Sequence, residues 1–470
     1  MTLESAGVTA DIITTDGTRR LRVSAADPAA LAAFDGSTDS GVLEGPLTST
    51  NARALQDQFP ALRPRLIGED RVSVGTGDRV GLATAGQVAA FRDHGEGVMP
   101  VLAQQSIREM DRLGRSARTV MDEAVFGLVE AGWDRGFGAD CDHIKTTEGI
   151  DRGLDAGFTM FTLDPGDYVQ DTTAGVTQEQ IDALDWDALR TTPEDLRARY
   201  AGTQVDLGDQ AVDVTEDDVM TAIAKYGGAV AETMRLERHL RERATHPIEV
   251  EVAVDETAWQ TTFFEHHFMA AELQRLGAQW FSFAPRYVDG FEKGLDFLGD
   301  VDELRTNLEA HHAISEQFGG YKISLHSGSD KFSIYPLCME ATDGHVHLKT
   351  SGTSYLCGVQ VVAAHDPELF AHMWEISRAS YARAKASYQV SAQEDRTPTD
   401  LSGVDTIDLL QSPDARQILH VGYGDSLNAT LPDGTPLRDR FLAVITAHQQ
   451  EHTAVVAEHI GRHLTPFAAR

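Results

Sequence analysis

Eight short, largely apolar stretches separated by helix-like sequence constrain this chain more than any other feature; they begin at Val98, Gly138, Phe158, Ile248, Trp280, Tyr321, His345 and Gln417. Strand, helix, strand, helix is the rhythm of parallel βα units. Eight such units are the number of a (β/α)8 barrel, where catalytic groups gather at the C-terminal ends of the strands. A doubly wound sheet alternates too, but no glycine-rich nucleotide turn follows the first strand. The expected fold class is therefore α/β, a (β/α)8 TIM-type barrel spanning residues 71–470. Residues 168–246 break the rhythm and read as a helical insertion covering one mouth of the barrel. Within it, Thr215 stands ahead of Glu216, Asp217 and Asp218 as the N-cap of a long amphipathic helix toward Arg243. Residues 1–70 read as a small α+β extension without chemistry. Residues 73–79 place Gly75 and Gly77 beside Asp78 and Arg79 and read as a tight loop, too short for a phosphate loop and lacking its Gly-Lys-Ser/Thr.

Composition excludes some partners. A formal charge of −33 opposes nucleic acid and anionic membranes, since phosphate binding needs basic surface. A small anionic substrate is still within reach of a few local cations. The three cysteines, Cys141, Cys338 and Cys357, form no CxxC pair and no disulfide framework, which points to a reducing cytoplasm. No run of 18 apolar residues and no basic-then-apolar leader is present, so neither a membrane span nor a signal peptide is expected. Self-association into a homo-oligomer stays open.

Chemistry concentrates where these strands end. In residues 321–326, Lys322, Ser324 and His326 alternate with Ile323 and Leu325, and the run then collapses into Ser327-Gly328-Ser329-Asp330. His326 is either a satisfied histidine entering a turn or a functional group. Asp140, Asp142, His143 and Lys145 crowd the next such position. Charges this dense are costly unless paired or metal-bound. They read either as an Asp–Lys salt bridge or as a site in which His143 and His326 form half of a divalent-metal centre and Asp142, kept ionised, acts as a base. Glu249 and Glu251 share one face of 248–254. If that strand is buried, desolvation suits Glu251 to carrying a proton as an acid; an edge strand would leave the same face solvated. Lys349 and the hydroxyls of 350–354 are candidate substrate contacts, as are Lys145 and Lys322; His345 and His347 read as packing or as groups supporting the site from behind. His266 and His267 fall in a helical stretch.

Taken in order, several blocks resemble the tagaturonate/fructuronate epimerase family of uronate metabolism. They are residues 75–79, 103–106, 138–145, 158–162, 251–256, 349–355 and 416–421, together with the eleven-residue block 321–331, Tyr-Lys-Ile-Ser-Leu-His-Ser-Gly-Ser-Asp-Lys. The resemblance implies an isomerase that interconverts two ketohexuronates, with Asp142 as proton acceptor, Glu251 as proton donor, and His143 and His326 as ligands of a divalent metal (Zn, Mn, Ni or Co). Asp289, at a strand end, is the expected third ligand, with Asp255 and His266 behind it. A metal-dependent sugar isomerase or an aldolase would use the same kinds of groups.

Overall fold

The computed structural model describes residues 2–468 except Asp16, Glu69 and Ser351, so the Ser351 hydroxyl expected at a strand end lies outside the described residues. Its centre is a nine-stranded parallel sheet. In chain order the strands are β1 (Val72–Thr76), β2 (Met99–Val101), β3 (Gln105–Ser106), β4 (Asp140–Ile144), β5 (Met160–Leu163), β6 (Glu249–Ala253), β7 (Ser282–Ala284), β8 (Lys322–Leu325) and β9 (Val346–Thr350). Their order across the sheet is β2-β1-β9-β8-β7-β6-β5-β4-β3. The two edge strands, β2 and β3, are consecutive in the chain and separated by Leu102, Ala103 and Gln104, with Ala103 in the left-handed region at φ 63°. Leu102 donates its N–H to Gly138 O at 2.9 Å, and Gly138 donates to Pro100 O at 2.9 Å. One edge of the sheet is thereby tied to the segment leading into β4 near the other edge.

Nearly every strand residue is buried, as a parallel sheet covered by helices requires. Helices start on side-chain caps: Ser106, Ser116, Thr146 and Thr262 each accept an N–H of the first turn. Thr215 caps the helix Glu216–Arg243 in a reciprocal box with Asp218, where the sequence placed it. That helix packs against Thr147–Ala156 and Phe263–Leu276 as the connection from β5 to β6. Short helices and the hairpin of Gln204–Asp206 with Ala211–Asp213 occupy the rest of 168–215. Residues 3–45 form a five-stranded antiparallel sheet.

Two strand assignments change. Residues 73–79, read as a loop, contribute β1, fully buried between β2 and β9. Residues 417–421, read as a strand, end the helix Pro413–Val421, which has Pro413 in its first turn and buries Ala415, Ile418 and Leu419 at helical spacing. That helix belongs to a second apolar core, made with Pro367–Ala384 and its neighbours, beside the sheet.

Candidate active site

The C-terminal ends of β4, β5, β6, β8 and β9 bring a dense charge cluster together. Lys349, pointing inward from β9, is its hub. Its Nζ lies 2.8 Å from Asp140 Oδ2, 2.7 Å from Asp142 Oδ1 and 2.6 Å from Glu251 Oε1, and donates to Thr162 Oγ1 at 2.6 Å. All five groups are buried. His326 follows β8; its Nε2 lies 2.7 Å from Glu251 Oε1 and its Nδ1 2.9 Å from Asp255 Oδ1. His143 is the last residue but one of β4, with its Nδ1 3.0 Å from Asp164 Oδ2, and its ring meets that of His326 edge-on at 5.1 Å. His143 and Ser327 both hold left-handed backbone, at φ 50° and 52°. Such strain in residues other than glycine concentrates at functional sites.

The cluster sorts its protons by neighbourhood. Burial pushes the Asp142 carboxyl up, but His143, Lys349 and His326 together outweigh it and hold Asp142 below the usual carboxylate range. Burial likewise opposes ionisation of Glu251, yet Lys349 and His326 hold it well below its ordinary value. This corrects the expectation of a neutral Glu251: the strand is buried, but desolvation is overcome by two cations in contact. The carboxyl that burial does lift is Asp140, to about 7, with Lys349 pulling against Asp142 and Glu251. Burial lowers His326, and Asp255 and Glu251 more than offset that, raising it to about 9.

His143, Asp255 and His326 each offer one ligand atom, and these atoms lie within 4.8 Å of one another. Among the described residues, Asp255 Oδ1 and His326 Nδ1 are buried without a hydrogen bond, although they face each other at 2.9 Å. Two buried ligand atoms that face only each other, at 2.9 Å and out of hydrogen-bond geometry, beside a second imidazole fit a divalent cation, whose protein ligands are commonly two histidines and a carboxylate. Asp164 on His143 Nδ1 and Glu251 on His326 Nε2 would then orient the two rings, as carboxylates do behind metal-bound histidines.

The other expected site residues fall elsewhere. Asp289 is 99% exposed and pairs with Arg286, away from the histidines, so Asp255 takes its place in the cluster. His266 is engaged by His311 and the Tyr321 hydroxyl. Lys322 sits at the start of β8, donating to Ile67 O and Ser73 Oγ at 3.0 Å each, remote from the strand's C-terminal end. Lys145 lies at the margin, paired with Asp167 at 2.6 Å and 3.8 Å from Asp164. His347 packs on Ser73 Oγ.

The cluster opens into a cavity of about 410 Å³ lined by Arg108, Asp255, Glu256, Tyr287, Lys293 and His326, with Tyr388 from the C-terminal helical part. Arg108 and Glu256 form a two-bonded pair at its wall, at 2.9 and 2.7 Å. Sequence reasoning passed over Asp164 and Lys293; Asp164 was hidden in an Asp-Pro-Gly turn that reads as punctuation.

A sequence model of the UxaE family, tagaturonate epimerase, matches residues 18–467. The chain belongs to this family. It is 36% identical over 416 residues, 88% of its length and 84% of the relative's, to the tagaturonate/fructuronate epimerase of Thermotoga maritima. The native crystal structure of fructuronate–tagaturonate epimerase UxaE from Cohnella laeviribosi superposes with a TM-score of 0.91 at 31% identity, covering 99% of this chain and 95% of that one. The same protein with two glycerols matches at 0.91 and 30% identity, over 100% and 96% of the two chains. As an epimerase-family chain, it has the mixed α/β architecture of those structures. No helix among the described residues is long and apolar enough to cross a membrane.

Proposed function

We propose that this epimerase-family chain interconverts D-tagaturonate and D-fructuronate at the ends of a (β/α)8 barrel, with a divalent metal held by His143, His326 and Asp255. In this reading β2 and β3 are two halves of one interrupted strand that closes the sheet, residues 1–70 are an extension, and 168–246 an insertion. The observation that carries the function is the meeting of Asp142, Glu251 and Lys349 with the His143–Asp255–His326 cluster.

The two ketouronates differ at the carbinol β to the ketone, whose C–H no adjacent carbonyl acidifies. Breaking and remaking a C–C bond avoids that difficulty. Asp142, held ionised, takes the carbinol O–H proton; the C–O becomes a carbonyl, and the electron pair of the neighbouring C–C bond moves onto the ketone half as an enediolate. The aldehyde half turns over, the enediolate carbon re-adds to its other face, and the new alkoxide takes a proton from the Lys349 ammonium beside Glu251, which the proton held on Asp142 then restores. A bound divalent metal supplies Lewis-acid stabilisation of the developing oxyanion. Lys349 contacts both carboxylates, at 2.7 and 2.6 Å, so the proton gained at Asp142 and the one lost beside Glu251 are exchanged through one ammonium.

Chelation is expected to abolish turnover, and one of Zn²⁺, Mn²⁺, Ni²⁺ or Co²⁺ to restore it. Asp255→Ala removes most bound metal, measured by elemental analysis after gel filtration, whereas Asp289→Ala leaves metal content and turnover within about twofold, because an exposed surface pair contributes little. Full activity of metal-free protein, or metal loss in the Asp289 variant alone, would discard this ligand set.

A further inference from the structure

A ketouronate carries a carboxylate that a neutral ketose lacks, and the cations lining the cavity are not equally free to meet it. Lys349 is saturated by Asp140, Asp142 and Glu251. Arg79 is bound to Glu109 at 2.6 Å, Arg108 to Glu256 at 2.7 Å and Arg286 to Asp289 at 3.0 Å. Lys293 lines the same space beside His326, Ser327, Glu256 and Tyr388, and among the described residues it has no carboxylate within ion-pair distance. Among the described residues its Nζ donates only to Ser327 Oγ, at 2.7 Å. We infer that Lys293 is the anchor of the substrate carboxylate, an assignment that rests on the epimerase reading above.

The backbone around Lys293 supports this. Residues 285–300 follow β7 without regular structure, a setting in which a long side chain would lose much entropy on binding. Yet the carbonyls of this segment are held one after another. Lys331 Nζ donates to Glu292 O at 2.7 Å and to Leu295 O; Gln417 Nε2 donates to Lys293 O at 3.2 Å; Arg416 Nε donates to Gly294 O at 3.2 Å. Lys293 itself donates its N–H to Gln389 O at 3.1 Å. Lys331 and Gln417 are fully buried. The blocks 321–331 and 416–421 therefore contain three residues that touch no reacting group and that fix the position from which Lys293 enters the cavity. A pre-positioned cation binds an anion with less ordering cost.

The chemistry gives the anchor a second task. Cleavage between the α and β carbons leaves the carboxylate on the aldehyde half, the half that must present its other face. Rotation about the bond joining the aldehyde carbon to its neighbour exchanges the faces while the carboxylate stays in place. A carboxylate held by Lys293 thus leaves the aldehyde end free to make the turn.

The test uses the full-length protein with its metal, in wild-type form and as Lys293→Met and Lys293→Arg, each first checked for an unchanged melting temperature. A charge-assisted contact made equally in ground and transition states acts on KM, so Lys293→Met is expected to raise KM for the ketouronate by about 10- to 150-fold with kcat within about threefold, and Lys293→Arg to recover most of the loss. Calorimetric binding of glucuronate, a carboxylate-bearing probe that needs no turnover, should weaken to a similar degree in Lys293→Met, while binding of glucose does not change. Unchanged KM and glucuronate affinity would overturn the assignment, as would a fall confined to kcat. If the wild-type protein turns over no ketouronate, the epimerase reading fails by itself, and the glucuronate comparison still decides whether Lys293 is an anion anchor.

Discussion

Asp142→Asn is expected to lower turnover by roughly 10²–10⁴-fold, the usual worth of a positioned acid or base, while metal and substrate binding persist. The expectation follows from contacts. Asp142 is buried beside Lys349 at 2.7 Å, with the His143 ring nearby at 3.9 Å, and these cations keep it ready to accept a proton. The amide keeps the shape and removes the titration. Glu251→Gln should show a loss of the same order in both directions of reaction, since the two groups exchange tasks when the reaction reverses. Glu251 Oε1 takes up Lys349, His326 and Thr162, whereas Oε2 is buried and makes no hydrogen bond among the described residues. A variant with near-normal turnover removes its residue from the mechanism. Metal loss in both variants would instead make the two carboxylates ligands.

The second large effect is on stability as well as rate. Lys349→Met leaves Asp140, Asp142 and Glu251 facing one another in a buried space without their shared cation. Breaking a buried ion group by removing one partner costs about 3–5 kcal/mol, because the remaining charges are uncompensated. A clear drop in melting temperature and loss of turnover are expected together. Adding Asp140→Asn to that variant removes one of the stranded carboxyls and should recover part of the melting temperature without activity. An unchanged melting temperature in Lys349→Met would show that the carboxyls carry protons and need no cation.

Much of the site was legible because charged residues stand out within apolar strands: Asp142, His143, Glu251, His326 and Lys349 all meet in one cluster. What sequence could not show was which end of a strand a side chain serves. Lys322 and His326 are four residues apart, about 13 Å along an extended strand, so one lies at the strand's start and the other past its end. Asp255 and Asp289 carry the same signal, a carboxylate just after a strand, and only the path of each loop separates a buried ligand atom from a fully exposed one. The ionisation of Glu251 was misjudged because desolvation is readable from strand burial, whereas the two cations in contact come from β9 and from the end of β8.

In the fold, helix starts were the clearest signals, as Thr215 shows, since a cap is a local hydrogen bond. Strand β1 was obscured by Gly75 and Gly77, which look like a loop until β2 and β9 are placed on either side. Residues 417–421 misled in the opposite direction. A short apolar run fits strand or helix, and here packing against Pro367–Ala384 decides for helix.

The most direct measurement incubates the purified protein and a divalent metal with tagaturonate and follows the products by NMR. The account predicts that fructuronate appears, inverted at the carbinol β to the ketone, with no free aldehyde and no aldose. Release of an aldehyde fragment would mark an aldolase, an aldose would mark an isomerase that moves the carbonyl, and either result would contradict it.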